Sequence, residues 1–198
     1  MMQHTLIPMK EKPVLVLVAP GFEEVELTAP VDILRRLGVE VTLAGVQSLV
    51  VEGAHGISLK TDMLLVDADA EQYRGVILPG GRGAWTLRDT PAALAFVREM
   101  HRASQLVAAI CAAPIALEAA GVLKGRNITC YPAPDVRKDV SSAKSISESP
   151  VVVDGNIITG RGPGAALDFG FALGAFLGCE AKVAALRAEM CCGSTQAE

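Results

Sequence analysis

Short β-branched, apolar runs alternate along this chain with stretches of helical periodicity, and few architectures accommodate that alternation when the connections are only a few residues long. Residues 13–19 read as a strand, 27–37 as a helix and 39–44 as a second strand, which is a βαβ opening. Gly21 stands at the first turn, and Gly38 stands where a glycine closes a helix. Residues 75–78 form a further buried-type strand ending in Pro79-Gly80-Gly81-Arg82-Gly83, and 91–103 returns to helical spacing. The strand 106–110 runs directly into Cys111 and a helix over 112–120, ended by Gly121. A short strand at 127–130, a loop, a hairpin over 151–159 turning at Asp154-Gly155, and helices over 165–177 and 180–189 complete the pattern. Only 45–69 is irregular, with 57–61 and 63–66 as extended pieces that form a hairpin or a sheet edge. The expected fold is α/β: a flavodoxin-like, doubly wound, mostly parallel sheet with helices on both faces.

That architecture explains a hydrophobic fraction of 51%, since strands covered on both faces read as continuous apolar runs. The runs are strand-sized, so no membrane span is expected, and the opening residues lack the basic and apolar regions of a secretory signal. One domain over 13–190, flanked by loose tails at 1–12 and 191–198, suits the 198-residue length. A net charge of −4 with no basic stripe argues against nucleic-acid binding and for small-molecule or protein partners. Five cysteines without a C-x-x-C pair point to reduced thiols and a cytosolic location. With three histidines in all, no metal cluster is expected. The glycine-rich segments 80–83 and 160–164 lack the residues of a phosphate loop or a dinucleotide fold, so no nucleotide cofactor is expected either.

The chemistry centres on the strand-cysteine-helix junction. A cysteine that ends a buried strand and opens a helix meets unpaired amides and the positive dipole end, both of which favour thiolate. Position alone is equally consistent with Cys111 as a small core residue. Gly80 and Gly81 follow the neighbouring strand, where unhindered amides could join that of Ala112 around a developing oxyanion; a plain glycine turn is the competing reading. Glu23, Glu24 and Glu26 open the first helix, where acids commonly complement the dipole. Glu26 stands apart because its turn must emerge beside Cys111 if both strands are central.

These blocks, in order, carry a resemblance. Gly21-Phe22-Glu23-Glu24-Val25-Glu26, Leu78-Pro79-Gly80-Gly81, Ala108-Ala109-Ile110-Cys111-Ala112-Ala113-Pro114 and Arg161-Gly162-Pro163-Gly164 resemble the signature blocks of the ThiJ/DJ-one/PfpI superfamily, particularly its Parkinsonism-associated deglycase branch. The resemblance implies that Cys111 is a reactive nucleophile on a strained elbow and that Glu26 is a protonated acid hydrogen-bonded to its sulfur. It also implies support from Glu23 and Arg161, and a homodimer with Val25, Arg36 and His55 near the interface. Two departures narrow it. Ala112 stands where the protease-type members carry a histidine, so a Cys-His hydrolase triad is not expected. Tyr131 replaces a histidine found in the animal members, which resembles the bacterial-type variant, and His55 replaces an arginine of the better-known members.

The resemblance therefore implies a cofactor-independent cysteine enzyme acting on dicarbonyls such as methylglyoxal, which it turns to lactate, or on glycated amines. A redox sensor or chaperone that switches when Cys111 becomes a sulfinate would use the same residues. Cys130 is read as a plain strand residue rather than a second thiol, and Cys191-Cys192 as incidental.

Overall fold

Strand β1 (Val14–Val18) is buried at all of its positions, as a strand covered on both faces must be. The computed structural model describes residues 11–192. Most of the two expected tails therefore lies outside the described residues. Helix α1 (Glu24–Arg36) follows β1, beginning three residues before the apolar periodicity does because Glu24 and Glu26 suit a first helical turn. Strand β2 (Val41–Gly45) then pairs in parallel with β1 along its whole length.

The irregular region resolves into β3 (Val50–Glu52), β4 (Ser58–Lys60) and β5 (Met63–Leu64). Of the two extended pieces expected there, the first forms a hairpin with the unforeseen β3, and the second joins the edge of the main sheet beside β2. Next come β6 (Gly75–Leu78), α2 (Gly83–Arg88), α3 (Pro91–Arg102), β7 (Leu106–Ile110) and α4 (Pro114–Ala119). Beyond them lie β8 (Asn127–Thr129), α5 (Pro134–Lys138) and β9 (Ser145–Ser147), with β8 and β9 forming a small sheet of their own. The chain ends with β10 (Val151–Asp154), β11 (Ile157–Gly160), α6 (Ala166–Gly174) and α7 (Glu180–Glu189).

The main sheet has seven strands in the order β10-β11-β7-β6-β1-β2-β5. Every neighbouring pair is parallel except the β10-β11 hairpin. The fold is thus the flavodoxin-like α/β arrangement the pattern predicts. From β1 the chain steps to β2 on one side, and later to β6, β7 and β11 on the other. That reversal opens a crevice beyond the carboxyl ends of the central strands, where doubly wound sheets bind ligands.

Helices α1 and α6 pack closely: a Cβ on Gly170 would stand 2.8 Å from Ile33 Cδ1 and 2.9 Å from Pro30 Cα. The helical run Pro163–Glu189 is long and apolar enough by composition to cross a membrane, although charged residues interrupt it. In the fold it buries Phe169, Phe171 and Leu173 in the core, and it breaks at Gly178, whose φ is +87°.

Candidate active site

Three strand ends converge at the crevice: β1 leads to Glu26, β6 to Gly80 and Gly81, and β7 to Cys111. Cys111 has φ +64°, a left-handed conformation that costs a non-glycine residue on the order of 1–3 kcal/mol. Its surroundings impose that conformation. The Cys111 amide donates to Gly160 O at 2.9 Å and its carbonyl accepts from Tyr131 N at 2.8 Å, so neighbouring segments hold both sides of the peptide. Residues 111–113 form a turn and α4 begins only at Pro114, a residue suited to the first helical position. The expected helix over 112–120 is therefore shorter, and Cys111 does not itself open it. The donors at its sulfur are the single amides of Gly81 and Ala112.

Gly81 reaches that position through a φ of +76°; a Cβ there would come within 2.5 Å of Glu23 N and of Gly21 O. Gly80 has another task. Its amide donates to Glu26 Oε2 at 3.0 Å, so of the three amides expected around an oxyanion only those of Gly81 and Ala112 face the sulfur. Glu26 is fully buried, and its second oxygen, Oε1, has no nitrogen or oxygen partner. Its carboxyl is hydrogen-bonded with the Cys111 side chain.

Burial raises the Glu26 carboxyl from 4.5 to about 7, outweighing the lowering effect of the Cys111 and Gly80 hydrogen bonds. The Cys111 thiol is pushed up too, first by burial, then by the charge of Glu26 and the hydrogen bond with it, while the Gly81 and Ala112 amides pull it down. The two causes arising from Glu26 act only while that carboxylate is charged. When Glu26 carries the proton they vanish, and the sulfur keeps its two amide donors. Above about pH 7 the pair thus shares one negative charge and one proton, an arrangement that can give and accept a proton at the same spot.

Cys111 is 7% exposed at the floor of a cavity of 570 Å³ lined by Glu23, His55, Gly81, Arg82, Trp85, Ala112, Tyr131 and Asp135, among others. The cavity thus brings together most of the predicted residues. The Glu23 amide donates to Gly80 O at 3.1 Å, pinning the two loops together. Tyr131 is 44% exposed and separates this cavity from a smaller one of 310 Å³ that contains Arg161. Arg161 is the exception. Its guanidinium pairs with Glu148 and its amide donates to Pro150 O, so it braces the β9-β10 loop rather than the Cys111 cavity.

Of the residues expected near an interface, Val25 projects from α1 at 41% exposure and Arg36 pairs with Asp32 and Glu189. His55 lies between β3 and β4 with Nδ1 2.9 Å from Glu24 Oε2. Glu24, read from sequence only as a dipole partner, is buried and accepts from the His55 amide at 2.7 Å; these bonds hold its carboxyl at about 2 against the opposing effect of burial. Cys130 is 1% exposed just past β8, and burial raises its thiol.

The chain matches the family described as the DJ-1/PfpI family over residues 12–175. It is 38% identical to the Parkinson disease protein 7 homolog of Danio rerio, with 81% of this chain and 87% of the relative covered. It is 37% identical to a deglycase of Thermococcus kodakarensis, covering 76% and 90%. Its fold superposes on the crystal structure of Drosophila melanogaster DJ-1beta with a TM-score of 0.86 at 32% identity, covering 91% and 98%.

Proposed function

The chain belongs to the DJ-1/PfpI family, and from that membership we propose that it is a cysteine enzyme acting on reactive dicarbonyls such as methylglyoxal and on early glycation adducts. The observation that carries this reading is the buried, hydrogen-bonded Cys111-Glu26 pair set beside two amide donors at the floor of an open cavity. The archaeal relative named a deglycase favours turnover over the sensor reading.

In the proposed cycle, the Cys111 thiolate adds to the aldehyde carbon of methylglyoxal and the new alkoxide takes the proton from Glu26, giving a hemithioacetal. The Glu26 carboxylate then removes the proton from that carbon, and the resulting enediol is reprotonated at the neighbouring carbon. The product is a lactoyl thioester, which water hydrolyses to lactate, returning the thiolate. The Gly81 and Ala112 amides stabilise oxygen anions along this path. With an early amine adduct of methylglyoxal, a hemiaminal, the Cys111 thiolate displaces the amine from the hemiaminal carbon, the C–S bond forming as the C–N bond breaks and the amine leaving with the proton from Glu26. The hemithioacetal then follows the same path to a lactoyl thioester that water hydrolyses. No step draws on a nucleotide or a redox cofactor, and without a histidine at position 112 peptide hydrolysis is disfavoured.

The reading extends to a homodimer formed through the α1 face that exposes Val25, and to the cytosol, whose reducing conditions suit five free cysteines. The test is methylglyoxal-to-lactate conversion, with lactate release from a glycated amine in parallel, by the intact chain and by Cys111→Ala. Loss of both activities in the variant is expected. Equal rates in both proteins would overturn the assignment, and a stable monomer in sedimentation at micromolar concentration would overturn the dimer.

A further inference from the structure

Three potential metal ligands meet at the rim of the Cys111 cavity, brought from separate parts of the fold. Glu23 precedes α1, Glu24 is its first residue, and His55 comes from the turn between β3 and β4. His55 Nδ1 lies 2.9 Å from Glu24 Oε2 and 3.6 Å from Glu23 Oε1, and one ligand atom from each residue lies within 4.8 Å of the others. A zinc ion holds nitrogen and carboxylate ligands at about 2.0–2.2 Å, so tetrahedral geometry spaces those atoms roughly 3.3 Å apart. The two measured separations bracket that spacing.

The ligands are also held in place. Glu24 Oε1 accepts from the His55 amide at 2.7 Å and the Ile57 amide at 3.4 Å, which leaves Oε2 directed at the imidazole. Gly53 makes room for this carboxyl, since a Cβ there would stand 2.4 Å from Oε1. Glu23 has no side-chain partner other than His55 among the described residues. We propose that Glu23, Glu24 and His55 form a zinc-class divalent-cation site, with the ion replacing the proton between His55 Nδ1 and Glu24 Oε2 and a fourth position open to the cavity. One imidazole with two carboxylates suits zinc better than magnesium or calcium, which prefer oxygen ligands throughout. An arginine at position 55 would offer donors only and could not ligate a cation, which makes His55→Arg a clean control.

The experiment uses the full chain with reduced thiols and measures Zn²⁺ by calorimetry and Co²⁺ by absorption. One equivalent is expected to bind, excess Mg²⁺ not to displace it, and the cobalt spectrum to lack thiolate charge transfer. Cys111→Ser is expected to keep the affinity. His55→Ala and His55→Arg are expected to lose at least about 100-fold, and circular dichroism checks that both exposed-loop variants are folded. The proposal is overturned if the intact chain binds no zinc, if folded His55→Arg binds it equally, or if charge-transfer bands appear and disappear on replacing Cys191 and Cys192.

Discussion

Gly80→Ala drives a wedge between the two groups on which the proposed chemistry depends. A methyl group at residue 80 would stand 2.5 Å from Glu26 Oε2, 2.7 Å from Cys111 Cβ and 2.9 Å from Ile110 O. Ordinary contact begins at 3.4 Å, so the three approaches fall short by about 0.9, 0.7 and 0.5 Å. Ile110 ends β7, which is paired with a strand on each side and gives little. Relief must therefore come from Glu26 and Cys111 moving apart. A misplacement near 1 Å costs on the order of 100-fold in rate, or about 2.7 kcal/mol of transition-state stabilisation. Overpacking costs a further 1–3 kcal/mol or so in stability, which for a chain of this size lowers Tm by about 2–4 °C per kcal/mol. The assay pairs kcat/KM for methylglyoxal with a thermal melt. A folded Gly80→Ala protein with kcat/KM within about twofold of the parent would refute the coupling of Glu26 to Cys111 across this glycine.

Three further outcomes follow from the same packing. An acid whose pKa is higher in the folded state keeps its proton longer there, so Glu26 makes stability decline by about 3 kcal/mol as pH rises from 4.5 to about 7. Glu26→Gln should flatten that decline in urea unfolding while lowering kcat/KM at least about 100-fold and removing the rise in activity near pH 7; a parental stability profile would contradict the burial argument. Tyr131→Phe keeps the cavity wall and the backbone bond to Cys111 O, and the proposed cycle gives the Tyr131 hydroxyl no proton to move, so kcat/KM should change less than about tenfold. Gly170→Ala, which would favour an isolated helix, should instead lower Tm because Ile33 and Pro30 already fill its space, and turnover per folded molecule should persist.

Much of this molecule was legible because its signals are local. Continuous apolar runs mark β1, β6 and β7 and period-3.6 patterns mark α1 and α3, and Gly21 and Gly38, with φ of +77° and +85°, serve as the turn and the helix stop that their type suggests. The short elements β3, α2, α5 and β9 escaped notice because three to six residues carry too little periodicity to read. The ordered blocks around Glu26, Gly80 and Cys111 identified the candidate site before any geometry was known, because strand ends of a parallel sheet share one edge. Tertiary packing decided the rest. It assigned the Gly80 amide to Glu26 rather than to an oxyanion, turned Arg161 toward Glu148, and began α4 beyond Cys111. It also carried His55 across to Glu23 and Glu24, more than thirty residues back along the chain. Hydrogen-bond partners and burial are properties of segments that meet only after folding, so residue order alone does not contain them.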